Sequence, residues 1–440
     1  MKFYKSLILF ITISVSIVGC RVVKLEPVEI LTFQQKLEQL FPNAEITKIG
    51  VKDHFTKAFQ LVLNEPLDHN NIEAGTFKHY VYLSHTDSKK PMVLITEGYN
   101  ATPRTYELSK ILKSNQVQVE YRFYGKSRPD SIQWNYLKND QAIEDYHQLV
   151  RKLKTLYKSK WISTGISKGG ETVLIYKSKY PYDVDVAVPY VAPLINTQED
   201  LRTEEHIKTI GSDECRTKII KYQRLLLENR ANVLTEILKY TKIKGMKFTR
   251  LSIEEALEYA VLEFPFSFWQ WGGNCDEIPT ENATAKDLFD YVNNIVGISF
   301  YNDKTYYDLL PSYYQHITEL GYYGFDTTPV KDLLRLVHKP TNLRFTPKNV
   351  DLTFNPNYIK KVRDYVENQG NKILYIYGEY DTWGACAPNP KPHVNFLKMV
   401  LKGGSHKTRI KDFSIEDKQL IYNKLQNWLG YSITIFPLDN

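Results

Sequence analysis

An α/β protein with a wound, mostly parallel sheet and one large all-helical insertion is what this 440-residue sequence predicts. Three observations carry the prediction. Short β-branched or aromatic runs alternate with helical stretches from about residue 55 to 195, the pattern of strands joined by crossover helices. Strand signals vanish after Pro193 and return only at 372–377. One early strand also runs straight into Gly165-Ile166-Ser167-Lys168-Gly169, a tight turn that opens a helix.

The elements follow in order. Residues 1–20 read as a targeting segment: Lys2 and Lys5 make a basic start, 7–18 an apolar core, and Ile17-Val18-Gly19-Cys20 an ending that resembles a bacterial lipobox. The apolar stretch is too short and wrongly flanked for a transmembrane helix. In this reading Cys20 becomes a lipidated first residue, and its acyl chains anchor the protein to a membrane of the cell envelope. Residues 21–54 form a tether and a short helix at 34–40. A first α/β part spans 55–195, with strands at 59–63, 76–82, 91–96, 116–121, 161–164 and 184–188. Its helix at 140–157 carries Ile143, Leu149, Val150 and Leu153 along one face. Residues 196–350 form a helical cap, with helices at 215–245, 252–263, 285–296 and 328–337 and an aromatic turn at 264–269. The second α/β part, 351–440, holds strands at 372–377 and 395–401 and a closing helix at 415–429.

The chain exceeds what one hydrophobic core usually supports, which fits a domain with a substantial insertion. Its 42% hydrophobic and 24% charged residues exclude a collagen-like or disordered chain. The net charge of +7 falls to about +5 without Lys2 and Lys5, and basic residues are scattered among acidic ones, so nucleic acid is not an expected partner. Beyond Cys20, the cysteines are Cys215, Cys275 and Cys386, in a protein exported to where disulfides persist. Cys275 and Cys386 each end a glycine-bearing loop, so that pair is the expected bridge, with Cys215 free at the start of a helix. No spacing resembles a zinc site, and no metal or cofactor is expected.

The turn at Ser167 has the G-x-S-x-G spacing of a nucleophile elbow, which lifts a serine Oγ above the sheet on a strained turn. A plain strand–helix turn with a capping serine shares that spacing. The surrounding order favours the elbow. In an α/β-hydrolase fold an acid follows a late strand, and a histidine follows the last one. Asp381 or Glu379 follows the strand at 372–377, where open sheets build their sites. Only His393 and His406 come after that acid, and His406 sits in the glycine-framed Gly403-Gly404-Ser405-His406, with His393 in reserve. The backbone N–H of Lys168 and one from Gly98 or Tyr99 would form the oxyanion hole. The helical cap falls between serine and acid, where it would cover the site.

The chain resembles the secreted bacterial tripeptidyl-aminopeptidase family of serine peptidases, α/β-hydrolases distantly akin to the lysosomal proline-directed carboxypeptidase. Matching blocks run in order: Pro66-Leu67-Asp68-His69, Thr96-Glu97-Gly98-Tyr99-Asn100, Glu120-Tyr121-Arg122-Phe123-Tyr124-Gly125, Asp145-Tyr146-His147, the elbow from Lys160 to Gly170, Tyr190-Val191-Ala192-Pro193, Asp381-Thr382-Trp383 and Gly404-Ser405-His406. The resemblance implies Ser167 as nucleophile, Asp381 as acid and His406 as base, and release of short peptides from free amino termini, in some relatives next to proline. Tyr121 stands where relatives usually carry histidine. The expected partners are therefore peptide substrates and, through Cys20, a membrane. Glu97, Asp276 and Glu277 are candidates for the substrate's ammonium, and Trp269, Trp271 and Trp383 for an apolar pocket. The alternatives are a capped esterase or lipase with the same triad and a non-catalytic peptide-binding lipoprotein.

Overall fold

Nine strands form one sheet in the computed structural model, which describes residues 31–433; Cys20 and the lipobox lie outside the described residues. In chain order the strands are β1 (Glu45–Lys48), β2 (Lys57–Pro66), β3 (Thr76–His85), β4 (Met92–Thr96), β5 (Asn115–Val119), β6 (Trp161–Ile166), β7 (Val186–Tyr190), the two-residue β8 (Glu199–Asp200) and β9 (Tyr322–Tyr323), β10 (Asn371–Gly378) and β11 (Asn395–Leu401). The sheet order is β1-β2-β3-β5-β4-β6-β7-β10-β11, and β8 pairs with β9 apart from it. From β5 to β11 all neighbours are parallel, while β1, β2, β3 and β5 pair antiparallel in turn. This is an α/β-hydrolase sheet with one added N-terminal strand. The central strands β4, β5 and β7 are buried throughout, as expected where helices cover both faces.

On one face, helices Asn139–Leu153, Lys168–Lys179 and Pro356–Asn368 pack a core that includes Ile143, Tyr146, Val173, Ile359 and Val366. On the other, Glu107–Leu112 and the closing Ile415–Leu429 cover Val93, Ile162, Val188 and Ile376. Between β7 and β10 the chain leaves the sheet, and its helices gather around a third core containing Tyr222, Val233, Leu257, Phe264 and Phe289. Among the described residues no helix is long and apolar enough to cross a membrane.

Three local expectations give way in this insertion. The helix starting at Ile253 does not stop at 263 but runs to Trp271 through Pro265. Proline leaves the carbonyl four residues back without its usual donor, and Gln223 Nε2 supplies one to Val261 O at 2.7 Å. The helix expected at 328–337 shrinks to the single turn Thr328–Val330. Its following amides are instead taken by one carboxylate: Glu258 accepts from the backbone of Arg335, Leu336 and Val337 at 2.7–3.0 Å. The stretch at 215–245 divides at Asn229 into Asp213–Glu228 and Arg230–Ile243. The Pro356–Asn368 and Asp303–Gln315 helices were not anticipated.

The disulfide is also different. Cys215, in the first turn of Asp213–Glu228, bonds Cys275, with Cα atoms 5.4 Å apart, and Cys386 is a buried free thiol. The expected Cys275–Cys386 bridge is therefore wrong. The bond staples the insertion to itself, because the turn at 275–277 packs on that helix rather than on the loop after β10. It spans 60 residues, which corresponds to roughly 4 kcal/mol of constraint on the unfolded chain. Reduction should lower the thermal midpoint by several degrees. Burial pushes the Cys386 thiol up to about 12, so it should resist iodoacetamide in the native protein. Peptide mapping without reductant checks both: an iodoacetamide adduct on native Cys215 or Cys275 would contradict the pairing, and one on native Cys386 would contradict its protection by burial.

Candidate active site

The carboxyl ends of five neighbouring strands, β4, β6, β7, β10 and β11, converge on one edge of the sheet. After β6 the backbone turns sharply at Ser167, with φ 57° and ψ −126°, a left-handed conformation that strains any residue with a Cβ. The surroundings leave it no alternative. A Cβ on Gly165 would lie 2.3 Å from Gly169 O, and one on Gly169 would lie 2.5 Å from Thr96 O. The Ser167 amide is pinned to Tyr190 O at 2.9 Å, and Thr96 Oγ1 donates to Gly169 O at 2.9 Å. The turn is thus clamped between β4 and β7.

After β10 and β11 come the acid and the histidine. His406 Nδ1 lies 3.0 and 2.9 Å from the two Asp381 oxygens, and both side chains are buried. Glu379, the other acid on this strand end, accepts from Gly403 N at 2.7 Å and so braces the glycine turn that carries the histidine. His393 is exposed, with Nε2 against Asn368 O at 2.9 Å. Of the two candidate acids and two candidate histidines, Asp381 and His406 are the pair in contact among the described residues. The His406 amide donates to Gln270 O at 2.9 Å, and the Trp271 ring stands edge-on to the imidazole at 5.7 Å. The long insertion helix thus ends on the histidine loop. Among the described residues no hydrogen bond joins Ser167 Oγ to His406, a link that often tightens only when substrate binds.

The turn after β4 lies against the elbow. A Cβ on Gly98 would come 2.6 Å from both Gly169 N and Lys168 Cβ, so only glycine permits this approach. Neither the Tyr99 N–H nor the Lys168 N–H donates to any described residue, and no side chain caps the first turn of Lys168–Lys179. Glu120 fixes the turn from behind, accepting from Ala101 N at 3.0 Å and from Ser127 N and Oγ at 2.7 Å each.

The other predicted residues divide. Glu97 is spoken for by Tyr106 and Gln118, and Asp276 and Glu277 face solvent, Asp276 beside Lys218. Trp383 is buried against Phe266, Tyr322 and Tyr323, and Trp269 against Phe268 and Tyr380. Arg122, to which the sequence assigns no role, is a structural hub. It forks onto both Asp145 oxygens at 2.7 Å and donates to the carbonyls of Pro66, Leu67 and Tyr136. Burial would raise the Asp145 carboxyl, but the guanidinium holds it down to about 2. Glu65, His69 and Asp145 have metal-like spacing, but that fork already occupies both Asp145 oxygens and would repel a cation, so we assign no ion there. The Lys168 side chain, unremarked in the sequence, also turns into the protein.

Comparison with known proteins bears on what this edge does. The model of the PS-10 peptidase S37 family matches residues 41–430. The chain belongs to peptidase family S37. It is 30% identical over 387 residues to the prolyl tri/tetrapeptidyl aminopeptidase of Streptomyces mobaraensis, covering 84% of this chain and 80% of that one. Over 125 residues, 26% of each chain, it is 30% identical to the lysosomal Pro-X carboxypeptidase of Mus musculus. A proline iminopeptidase structure from Mycobacterium smegmatis aligns over 88% of this chain and 99% of that one, at 12% identity and a TM-score of 0.40. This S37 chain is accordingly a serine peptidase, which sets aside the non-catalytic reading.

Proposed function

We propose that this S37 peptidase releases short peptides, three or four residues long, from free amino termini, using Ser167 as nucleophile, His406 as base and Asp381 as orienting acid. The observation that carries the assignment is the buried contact of His406 Nδ1 with both Asp381 oxygens, on the same edge of the sheet as the strained Ser167 turn, with the end of β7 between β6 and β10. With Nδ1 committed, Nε2 is left to take the Ser167 Oγ proton as Oγ attacks the peptide carbonyl carbon. The oxyanion accepts from the Lys168 and Tyr99 amides. Nε2 then protonates the leaving nitrogen, the C–N bond breaks, and an acyl-enzyme remains. Water, deprotonated by His406, attacks that ester and returns Oγ to its hydroxyl form.

Residues 196–350 act in this reading as a cap that limits how much peptide enters. An apolar cavity of about 340 Å³, lined in part by Pro265, Phe266, Trp269, Tyr323 and Phe325, supports a pocket for proline or another apolar side chain. Phe266 and Tyr323 on its wall also touch Trp383, two positions after Asp381. Behind this wall the buried carboxyl of Glu263 is bonded by Tyr323 and Ser267 and raised by burial to about 7, while the carboxylates that line the cavity itself are Glu204 and Asp326. The Streptomyces mobaraensis relative is a prolyl tri/tetrapeptidyl aminopeptidase, which supports the product length and the proline preference.

A substrate panel tests this reading. Tripeptidyl and tetrapeptidyl amides with free amino termini should turn over at least about tenfold faster than aminoacyl amides, N-acetylated peptides or short-chain esters. Faster ester hydrolysis would move the protein to the esterase reading. The lipobox supports attachment to the cell envelope through Cys20, whose segment precedes the described residues. Cys20→Ser should shift the protein from the membrane to the soluble fraction or stall its processing, and unchanged partition would place the anchor elsewhere.

A further inference from the structure

Two charged side chains lie buried beside the elbow and take no part in the triad. Lys168 is 2% exposed, and its Nζ donates to the carbonyl of Gly98 at 2.8 Å. Three tyrosine rings enclose that ammonium, with centroids at 3.6 Å for Tyr121, 5.0 Å for Tyr124 and 5.6 Å for Tyr99. The cage is itself held. Tyr121 donates to Asn139 Oδ1 at 2.7 Å and accepts from Gln315 Nε2 at 3.0 Å, and Tyr124 donates to Gln315 Oε1 at 3.0 Å. Glu171, one turn further along the same helix, is fully buried, and neither of its oxygens has a partner among the described residues.

Burying a cation this completely is costly, and burial pulls the Lys168 amine down to about 7. The tyrosine faces and the Gly98 oxygen offset part of that cost. The same contact has a geometric effect. In a trans peptide the C=O and N–H point in opposite directions, so fixing the Gly98 oxygen on one side fixes the Tyr99 N–H on the other. Glycine 98 is required by the close approach of the elbow, yet it is also the residue most able to let its peptide flip. A flipped peptide would present a carbonyl oxygen where the oxyanion needs a donor.

We propose that the Lys168 side chain, seated on the Tyr121 ring, is a positioning residue that locks the Gly98–Tyr99 peptide so that the Tyr99 N–H completes the oxyanion hole. The inference rests on the triad reading above and extends it to a side chain that reading leaves idle. It also gives Tyr121 a role: its flat ring carries the ammonium. Gln315 comes from the insertion helix Asp303–Gln315, so both parts of the molecule close the cage.

The test uses the full chain with Lys168→Met, Tyr121→Phe and Tyr121→Leu. It reads kcat and KM on the best peptide amide, the rate of Ser167 labelling by a fluorophosphonate, and the thermal midpoint. Lys168→Met should lose roughly 10²–10³ in kcat with KM within about threefold, and labelling should slow in parallel. Its midpoint should hold or rise, because a buried charge is removed. Tyr121→Leu should lose about tenfold more kcat than Tyr121→Phe; both lack the hydroxyl, so the difference belongs to the ring. That pair decides the matter if Lys168→Met does not fold. Wild-type kcat in Lys168→Met, or equal losses in the two Tyr121 variants, would overturn the proposal. An active Ser167→Ala would instead end the triad reading, so the two failures are separable.

Discussion

Ser167→Ala is expected to lower kcat/KM by roughly three to six orders of magnitude and to abolish fluorophosphonate labelling. The fold should not notice. The turn is imposed by its neighbours, through the Ser167 amide on Tyr190 O, the Thr96 hydroxyl on Gly169 O and the two glycines that no Cβ could replace. Alanine keeps the strained φ and loses one oxygen, so the thermal midpoint should stay within about two degrees. What remains would be the rate that binding and the oxyanion donors supply without a nucleophile. Turnover close to wild type in a well-folded variant would remove the mechanism altogether.

His406→Ala should fall as far, because without Nε2 nothing takes the Ser167 proton. Asp381→Asn should cost somewhat less, on the order of 10⁴-fold, with the side-chain amide forcing the imidazole toward the wrong tautomer. His393→Ala is the internal control. Its ring is exposed and bonds only a backbone oxygen, so its effect should be under about twofold. A dead His393 variant beside an active His406 variant would reassign the base. Glu379→Gln separates bracing from catalysis, since the amide oxygen still accepts from Gly403 N.

Local pattern carried the sheet and the site edge because both are written in short, contiguous signals. The strands β4, β6 and β10 are apolar runs with glycine or a turn residue at their ends, and the elbow needs two glycines four positions apart. Serine, acid and histidine each follow a strand that such a run reveals. The insertion was less legible because distant partners decide its structure. Pro265 reads as a stop until Gln223 takes the orphaned carbonyl, and 328–337 reads as a helix until Glu258 claims its amides. Three cysteines permit three pairs, and only the packing of the turn at 275–277 on Asp213–Glu228 selects one. Lys168 is a further case. Nothing adjacent to it announces burial, since its cage comes from residues 99, 121 and 124, with supports at 139 and 315.

The helix Ile253–Trp271 ends where the histidine loop begins: Gln270 O receives the His406 amide, Trp271 leans on the imidazole, and a Cβ on Gly272 would lie 3.2 Å from Ser405 Oγ. The two parts of the molecule are therefore not interchangeable modules. A chimera that carried a relative's insertion on this sheet, in order to borrow its substrate preference, would also import a new neighbour for the base. Unless Gln270, Trp271 and Gly272 travelled unchanged, such a graft would alter turnover along with selectivity.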